Sequence, residues 1–238
     1  MTTLQKIGLS AFALKLIMTV LMLGDHLVFF LPQHFPIELR YVGRLVLPTF
    51  AYLMTISLAH TRDRLRFFLR MAIAGLIMLA GNTILWQIMG GAPFPQITNG
   101  IFLSLAVSAG LIIAIERIIK DEGYAVLNAL AAALLIYAGT LVEGGLLTPV
   151  MALVFYFLRE KKLAMCIVYI AVGWAFLYLA GGRLMPMQQY QAFAVIPVLL
   201  YNGQKGGGGG AFEKWFFYIF YPLHIWWLYI IRHLMFFS

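Results

Sequence analysis

Lys15, Asp25 and His26 lie within one apolar run, ALKLIMTVLMLGDHLVFFLP. An ionisable side chain at the centre of a membrane span costs about 2.5–3.5 kcal/mol on insertion scales, so it marks a functional site by default. A neutral imidazole is suited to general-base work near physiological pH. Lys15 and His26 are eleven positions apart. At about 100° per residue they share one helix face, separated by roughly 16 Å along the axis. Asp25 points about 100° away from His26. It therefore either orients that imidazole or answers a group on a neighbouring helix. The plainer alternative is a polar pair that only fixes helix packing.

The last apolar run, KWFFYIFYPLHIWWLYIIRHL, contributes Tyr221 and His224. These are i and i+3 and share a face. Pro222 removes a backbone donor and releases a carbonyl near Tyr218, an arrangement tolerated in membranes where a helix lines protein or a cavity. Arg44 opens the second run, YVGRLVLPTFAYL. It can pair with Asp25, stabilise a developing oxyanion, or simply anchor a helix end. The segment YNGQKGGGGG holds Tyr201, Asn202 and Lys205, with Lys214 close behind. Glycine amides beside lysines can approach a phosphate, although the segment matches no Walker or Rossmann pattern and reads equally as a flexible linker. The arginine run 62–70 is open to two readings, binding of anionic lipid heads or plain positive-inside topology, and either cluster suits a polyanion such as coenzyme A.

The elements that must position these residues are membrane helices. Of 238 residues, 63% are hydrophobic and only 11% charged, where a soluble domain has roughly a quarter charged. The expected fold is all-α, a polytopic membrane helical bundle forming a single domain over 1–238. Nine spans (range 8–10) are expected near 9–31, 41–59, 67–89, 97–118, 124–140, 144–158, 163–181, 187–201 and 214–235. The short pair 124–140 and 144–158 is alternatively a re-entrant pair around Glu143-Gly144-Gly145. The first run is long enough to span, so no cleavable signal peptide is expected. Twelve of the seventeen Lys and Arg fall on one side of this topology, Arg40, Arg44, Arg183 and Arg232 on the other. The positive-inside rule makes the richer side, and the N-terminus, cytoplasmic. His26 then lies toward the outer face, His224 near the midplane, and Lys15 toward the inner face. The net charge of +8 reflects topology rather than nucleic-acid binding. Cys166 alone provides neither a disulfide nor a metal cluster, and no metal is expected.

Four blocks resemble the TraX family, named for the F-pilin acetylase, within the wider group of integral-membrane acyltransferases. They are LKLIMTVLMLGDHLVFF, GRLVLPTFAYLMTISLAHTR, LVEGGLLTPVMALVFYFLR, and YNGQKG with KWFFYIFYPLHIWWLY. The DH of the first span and the FYPLH of the last are the most specific parts. The wider group carries a basic residue and a histidine on its first span, matched here by Lys15 and His26, with Lys where Arg is commoner. Residues 183–200 match no signature, and Gly206–Gly210 departs from the shorter polar loop expected there.

The resemblance implies acetyl transfer from cytoplasmic acetyl-CoA to an amine or hydroxyl acceptor at the membrane or beyond its outer face. A peptide or pilin N-terminus and a glycan are the acceptors to consider, and the bacterial inner membrane is the implied location. His26 would be the base or the acyl-accepting group, with Asp25, Arg44 and His224 as its catalytic company. Lys15, Tyr201, Asn202, Lys205, Lys214 and Tyr221 would contact the donor. The alternative is a proton-coupled transporter or small-molecule carrier, because intramembrane Asp, His and Lys also mark proton relays. Transporters often show related halves, and no internal repeat is evident. A structural pilus-assembly role would leave the Lys15–His26 stripe without a reason.

Overall fold

A computed structural model describes residues 8–91, 96–179 and 186–236. Lys6, Arg183 and the side chain of Lys214 lie outside the described residues. All regular structure among those described is helical, apart from an isolated parallel bridge between Leu9 and Tyr201. The helices are α1 (Ala11–Phe30), α2 (Glu38–Gly43), α3 (Val46–Ala59), α4 (Arg64–Ile88), α5 (Ile101–Ile119), α6 (Ala125–Leu141), α7 (Leu147–Phe157) and α8 (Lys162–Leu179). A 3-10 segment (Pro186–Ala194), α9 (Val195–Leu200) and α10 (Ala211–Phe236) follow.

The all-α expectation holds, and the protein is a membrane protein. Among the described residues, five helical stretches are long and apolar enough to cross a bilayer: 11–30, 38–59, 64–88, 101–119 and 162–179. Helices α6 and α7 are apolar but shorter, at 17 and 11 residues. At 1.5 Å per residue α7 rises only about 17 Å, against roughly 30 Å of hydrocarbon. The segment expected as one span over 187–201 is instead a nine-residue 3-10 stretch followed by a six-residue α-helix. Only the α9 part is apolar; Gln188, Gln189 and Gln191 make the 3-10 part polar, which hydropathy averaged over 187–201 conceals.

The chain divides into two compact units. One comprises Ala51–Gly81 and Thr98–Leu184. Within it α5 is the central element: it packs on α6 and α7, and α7 in turn on α8. Twelve of the nineteen residues of α5 are buried, which explains its apolar sequence on every face. A Cβ on Gly75 of α4 would lie 2.6 Å from Leu103 Cγ on α5, so only glycine permits that approach. Helices α6 and α7 meet through a tight turn in which Gly144 and Gly145 have positive φ. The Glu143 carboxylate accepts from the Gly100 amide at 2.7 Å, capping α5, and the Ser104 hydroxyl donates to the Glu143 carbonyl at 2.7 Å.

Three donors converge on Glu116 near the end of α5. Arg64 and the Tyr156 hydroxyl (2.8 Å) donate to Oε2, and Lys120 pairs with Oε1 at 2.7 Å. The hydrogen bond and charge of Glu116 hold the Lys120 ammonium above its ordinary value. Lys120 is half exposed, whereas the Glu116 side chain is 13% exposed. Glu116→Ala should therefore strand Arg64 and the Tyr156 hydroxyl and cost about 1–2 kcal/mol. A lowered thermal unfolding midpoint in detergent is the expected reading. Lys120→Ala should leave the midpoint unchanged, as exposed ion pairs contribute little.

Candidate functional site

The other unit comprises Met1–Phe50, Asn82–Ile97 and Met185–Ser238. It holds the candidates Lys15, Asp25, His26, Arg44, His224 and those of the segment from Tyr201 to Tyr221, whereas the arginine run 62–70 and Cys166 belong to the unit centred on α5. Helix α1 starts at Ser10, whose hydroxyl accepts from the Ala13 amide. The next two orphan donors of the first turn, the amides of Ala11 and Phe12, bond to the carbonyls of Gln204 and Lys205 at 2.9 and 3.0 Å. The segment before α10 thus caps α1 with its main chain. Pro32 follows the helix end and prevents its continuation.

Helix α10 packs along α1. Phe12 meets Phe217, Lys15 lies over the Phe217 ring at 5.6 Å, His26 meets His224, and Phe30 meets Tyr229. These contacts advance in the same direction on both helices, so α1 and α10 run parallel. The stripe read from spacing is real: Lys15 and His26 both face α10. The two depths assigned to His26 and His224 do not hold, because the rings touch. Counting residues from estimated span ends ignores the inclination of one helix to another and the proline within α10.

His26 and His224 are buried, at 4% and 8% exposure. His26 Nδ1 and His224 Nε2 are 2.8 Å apart, and His224 Nδ1 is 2.8 Å from the Phe220 carbonyl. A carbonyl only accepts, so His224 donates from Nδ1. In the neutral ring its Nε2 then carries a lone pair, and His26 must donate from Nδ1. The lone pair of neutral His26 falls on Nε2. One backbone carbonyl thus fixes two tautomers in series. Aromatic packing fixes the orientation of both rings. Phe220 stacks on His224 at 4.9 Å, His224 on His26 at 5.1 Å, and the Tyr221 ring meets both edge-on at 5.5 and 6.1 Å.

Asp25 is not the partner of His26. Its Oδ2 accepts from Arg44 Nη2 at 2.6 Å and its Oδ1 from Arg40 Nε at 3.2 Å. Arg44 Nε donates further to the Arg40 carbonyl at 3.2 Å. Arg40 and Arg44 are i and i+4 on one side of α2, so both reach a single carboxylate. Gly43 makes this possible: a Cβ there would lie 2.5 Å from Asp25 Cβ. Sequence reasoning found Arg44 but assigned Arg40 only to the topology count; the RYVGR spacing was the signal available. On the same helix Tyr41 stacks on Tyr190 of the 3-10 segment at 4.8 Å.

The remaining candidates lie along the segment joining α9 to α10. Tyr201 is buried at the bridge with Leu9. Asn202 donates to the Gly8 carbonyl and accepts from the Gln204 amide. Lys205 has an exposed side chain, its carbonyl capping α1. The amides of Gly208 and Gly209 both donate to Glu213, the latter at 2.9 Å. That glycine segment is therefore an anion-binding turn, and it holds the chain's own carboxylate. Glu213 was not singled out in the sequence, because nothing in a glycine run says which carboxylate will fold back. Tyr221, proposed from sequence as a donor contact, lies beside the histidines.

A membrane protein with a tautomer-locked histidine pair inside its helices is a class defined by this geometry. The chain belongs to the TraX family: the family described as TraX protein matches residues 10–232. It is 27% identical over 244 residues to the "Probable fimbrial assembly protein FimC, serogroup H1" of Dichelobacter nodosus, a match covering 93% of this chain and 95% of the relative. No solved structure matches.

Gly43 and Gly24 offer a contrast on the α1–α2 contact. Gly43→Val should force α2 off Asp25 and cost about 1–3 kcal/mol. Gly24→Ala places its methyl 3.5 Å from Leu39, an ordinary contact, and should stabilise by about 0.5–1 kcal/mol. Thermal unfolding of the two variants in detergent checks both signs.

Proposed function

We propose that this protein is an acetyltransferase of the bacterial cytoplasmic membrane, moving an acetyl group from acetyl-CoA to an amine or hydroxyl acceptor. The observation that carries this reading is the buried Phe220–His224–His26 relay, which fixes the tautomer and orientation of His26. Membership of the TraX family supports it. The naming of a relative as a fimbrial assembly protein supports a pilin or other peptide N-terminus as acceptor.

In this mechanism His26 Nε2 takes the proton as the acceptor nitrogen or oxygen attacks the thioester carbonyl. The new C–N or C–O bond forms, and the tetrahedral intermediate collapses by breaking the C–S bond. The leaving thiolate takes the proton back from His26, so acetylated acceptor and CoA thiol leave the histidine neutral. Throughout, His26 keeps its Nδ1–H on His224, which stabilises the transient imidazolium. Arg44 adds fixed positive charge near the reacting centre, held there by its ion pair with Asp25, the residue before His26. Lys15 and Lys205 attract the donor's phosphates, with Lys15 placed one helix stripe below His26. Gly208 and Gly209 play no part in that binding while Glu213 holds their amides.

His26→Ala should reduce acetyl-CoA-dependent transfer by about 10²-fold or more, the usual range for a general base. His224→Gln keeps an acceptor for His26 Nδ1 and should lose less than His224→Leu, which strands that N–H. Transfer by purified full-length protein is the measurement. Undiminished turnover in His26→Ala would sink the assignment. Failure of CoA to raise the unfolding temperature would favour a carrier over an enzyme.

A further inference from the structure

Arg40, Arg44 and Asp25 leave one positive charge uncompensated. Each guanidinium has five N–H donors. Arg40 commits only Nε to Asp25, and Arg44 commits Nε to a carbonyl and one Nη2 N–H to Asp25. Their remaining donors have no protein acceptor among the described residues. The three side chains are only 19%, 18% and 13% exposed. Two guanidiniums fixed on one carboxylate, largely withdrawn from water, form a pre-oriented fork for a second oxyanion. Arg40 is further held over the Phe29 ring at 5.3 Å, which restricts its rotamers without consuming donors.

We infer that Arg40 and Arg44 bind an oxyanion group, carboxylate or phosphate, carried by the acceptor substrate. The inference rests on the acetyl-transfer reading only for the word acceptor. Asp25 immediately precedes His26, so an anion held there lies beside the relay, about 100° around α1 from it. Lys15 is ten residues, or about 15 Å, away along the same helix, which separates this anion from phosphates drawn in by Lys15. Arg40 is a positioning residue here: it orients the acceptor and takes no part in proton transfer.

The test uses full-length protein in detergent, with thermal unfolding followed at constant ionic strength set by chloride. The probes are inorganic phosphate, glycylglycine and, as a control without a carboxylate, glycinamide. A saturable rise in unfolding temperature with phosphate or glycylglycine, absent with glycinamide, is expected. The probe that saturates at lower concentration identifies the anion class. Arg40→Gln should weaken that response by at least about tenfold, the loss expected for a charge-assisted hydrogen bond, and Arg40→Lys by less. His26→Ala should retain it, and wild-type protein that binds the anion but transfers no acetyl group rejects the enzyme reading alone. Equilibrium dialysis of radiolabelled phosphate against wild-type protein covers the case in which Arg40→Gln does not fold. No saturable binding to wild type, an unchanged response in Arg40→Gln, or loss of CoA stabilisation in that variant instead would overturn the inference.

Discussion

An imidazole buried among membrane helices has to place its ring N–H on an acceptor, and His26 places it on His224 at 2.8 Å. That bond is possible only because His224 turns its own N–H to the Phe220 carbonyl one turn earlier on the same helix. Reverse either tautomer and two donors or two lone pairs would confront each other in a medium where an unpaired polar group costs about 1–3 kcal/mol. The register of α1 against α10 is therefore fixed by polar chemistry as well as by packing. A shift of either helix by one residue would turn one imidazole by about 100° and break the pair.

Asp25 illustrates how such a site divides labour. A carboxylate next to a histidine in sequence invites a dyad, yet helix geometry sends the two side chains to different neighbours. His26 turns to α10 and Asp25 to α2. The carboxylate organises two arginines, and the close approach at Gly43 holds them there. The imidazole is oriented by a second imidazole, a neutral partner. Keeping the partner neutral leaves the burial of charge to α2, where Asp25 can compensate it, and keeps the relay itself free of a permanent ion.

Much of this was legible from residue spacing. The Lys15–His26 stripe, the shared face of Tyr221 and His224, and the option of an Asp25–Arg44 pair all follow from 3.6 residues per turn, and the helical spans follow from composition. What could not be read depends on how helices lie against one another. The contact of His26 with His224 required the inclination of α1 and α10, which no single span reveals. The span expected over 187–201 averaged the polar Gln188, Gln189 and Gln191 of the 3-10 stretch with the apolar turns of Val195–Leu200. The fate of the glycine amides turned on Glu213, a residue of the following helix whose side chain bends back onto the loop. Arg40 was visible in sequence as the i−4 neighbour of Arg44, but charge counting absorbed it into topology as one of four on the poorer side, because a count records a charge whether or not it also binds something.

The glycine-rich segment gains a structural meaning from these contacts. Its first residues accept, at their carbonyls, from amides in the opening turn of α1, and its last are anchored through Glu213 to the opening turn of α10. At Gly206 a side chain would overlap the Ser10 hydroxyl that caps α1, and its φ of +65° also favours glycine. The segment therefore ties the starts of two parallel helices together, while the histidine pair ties them again further along. Two fixed points on one pair of helices determine how α10 is rotated and displaced against the Lys15–His26 stripe of α1. A flexible linker at this place would leave that relation to side-chain packing alone, and glycine serves here because main-chain atoms must approach closely enough to act as caps.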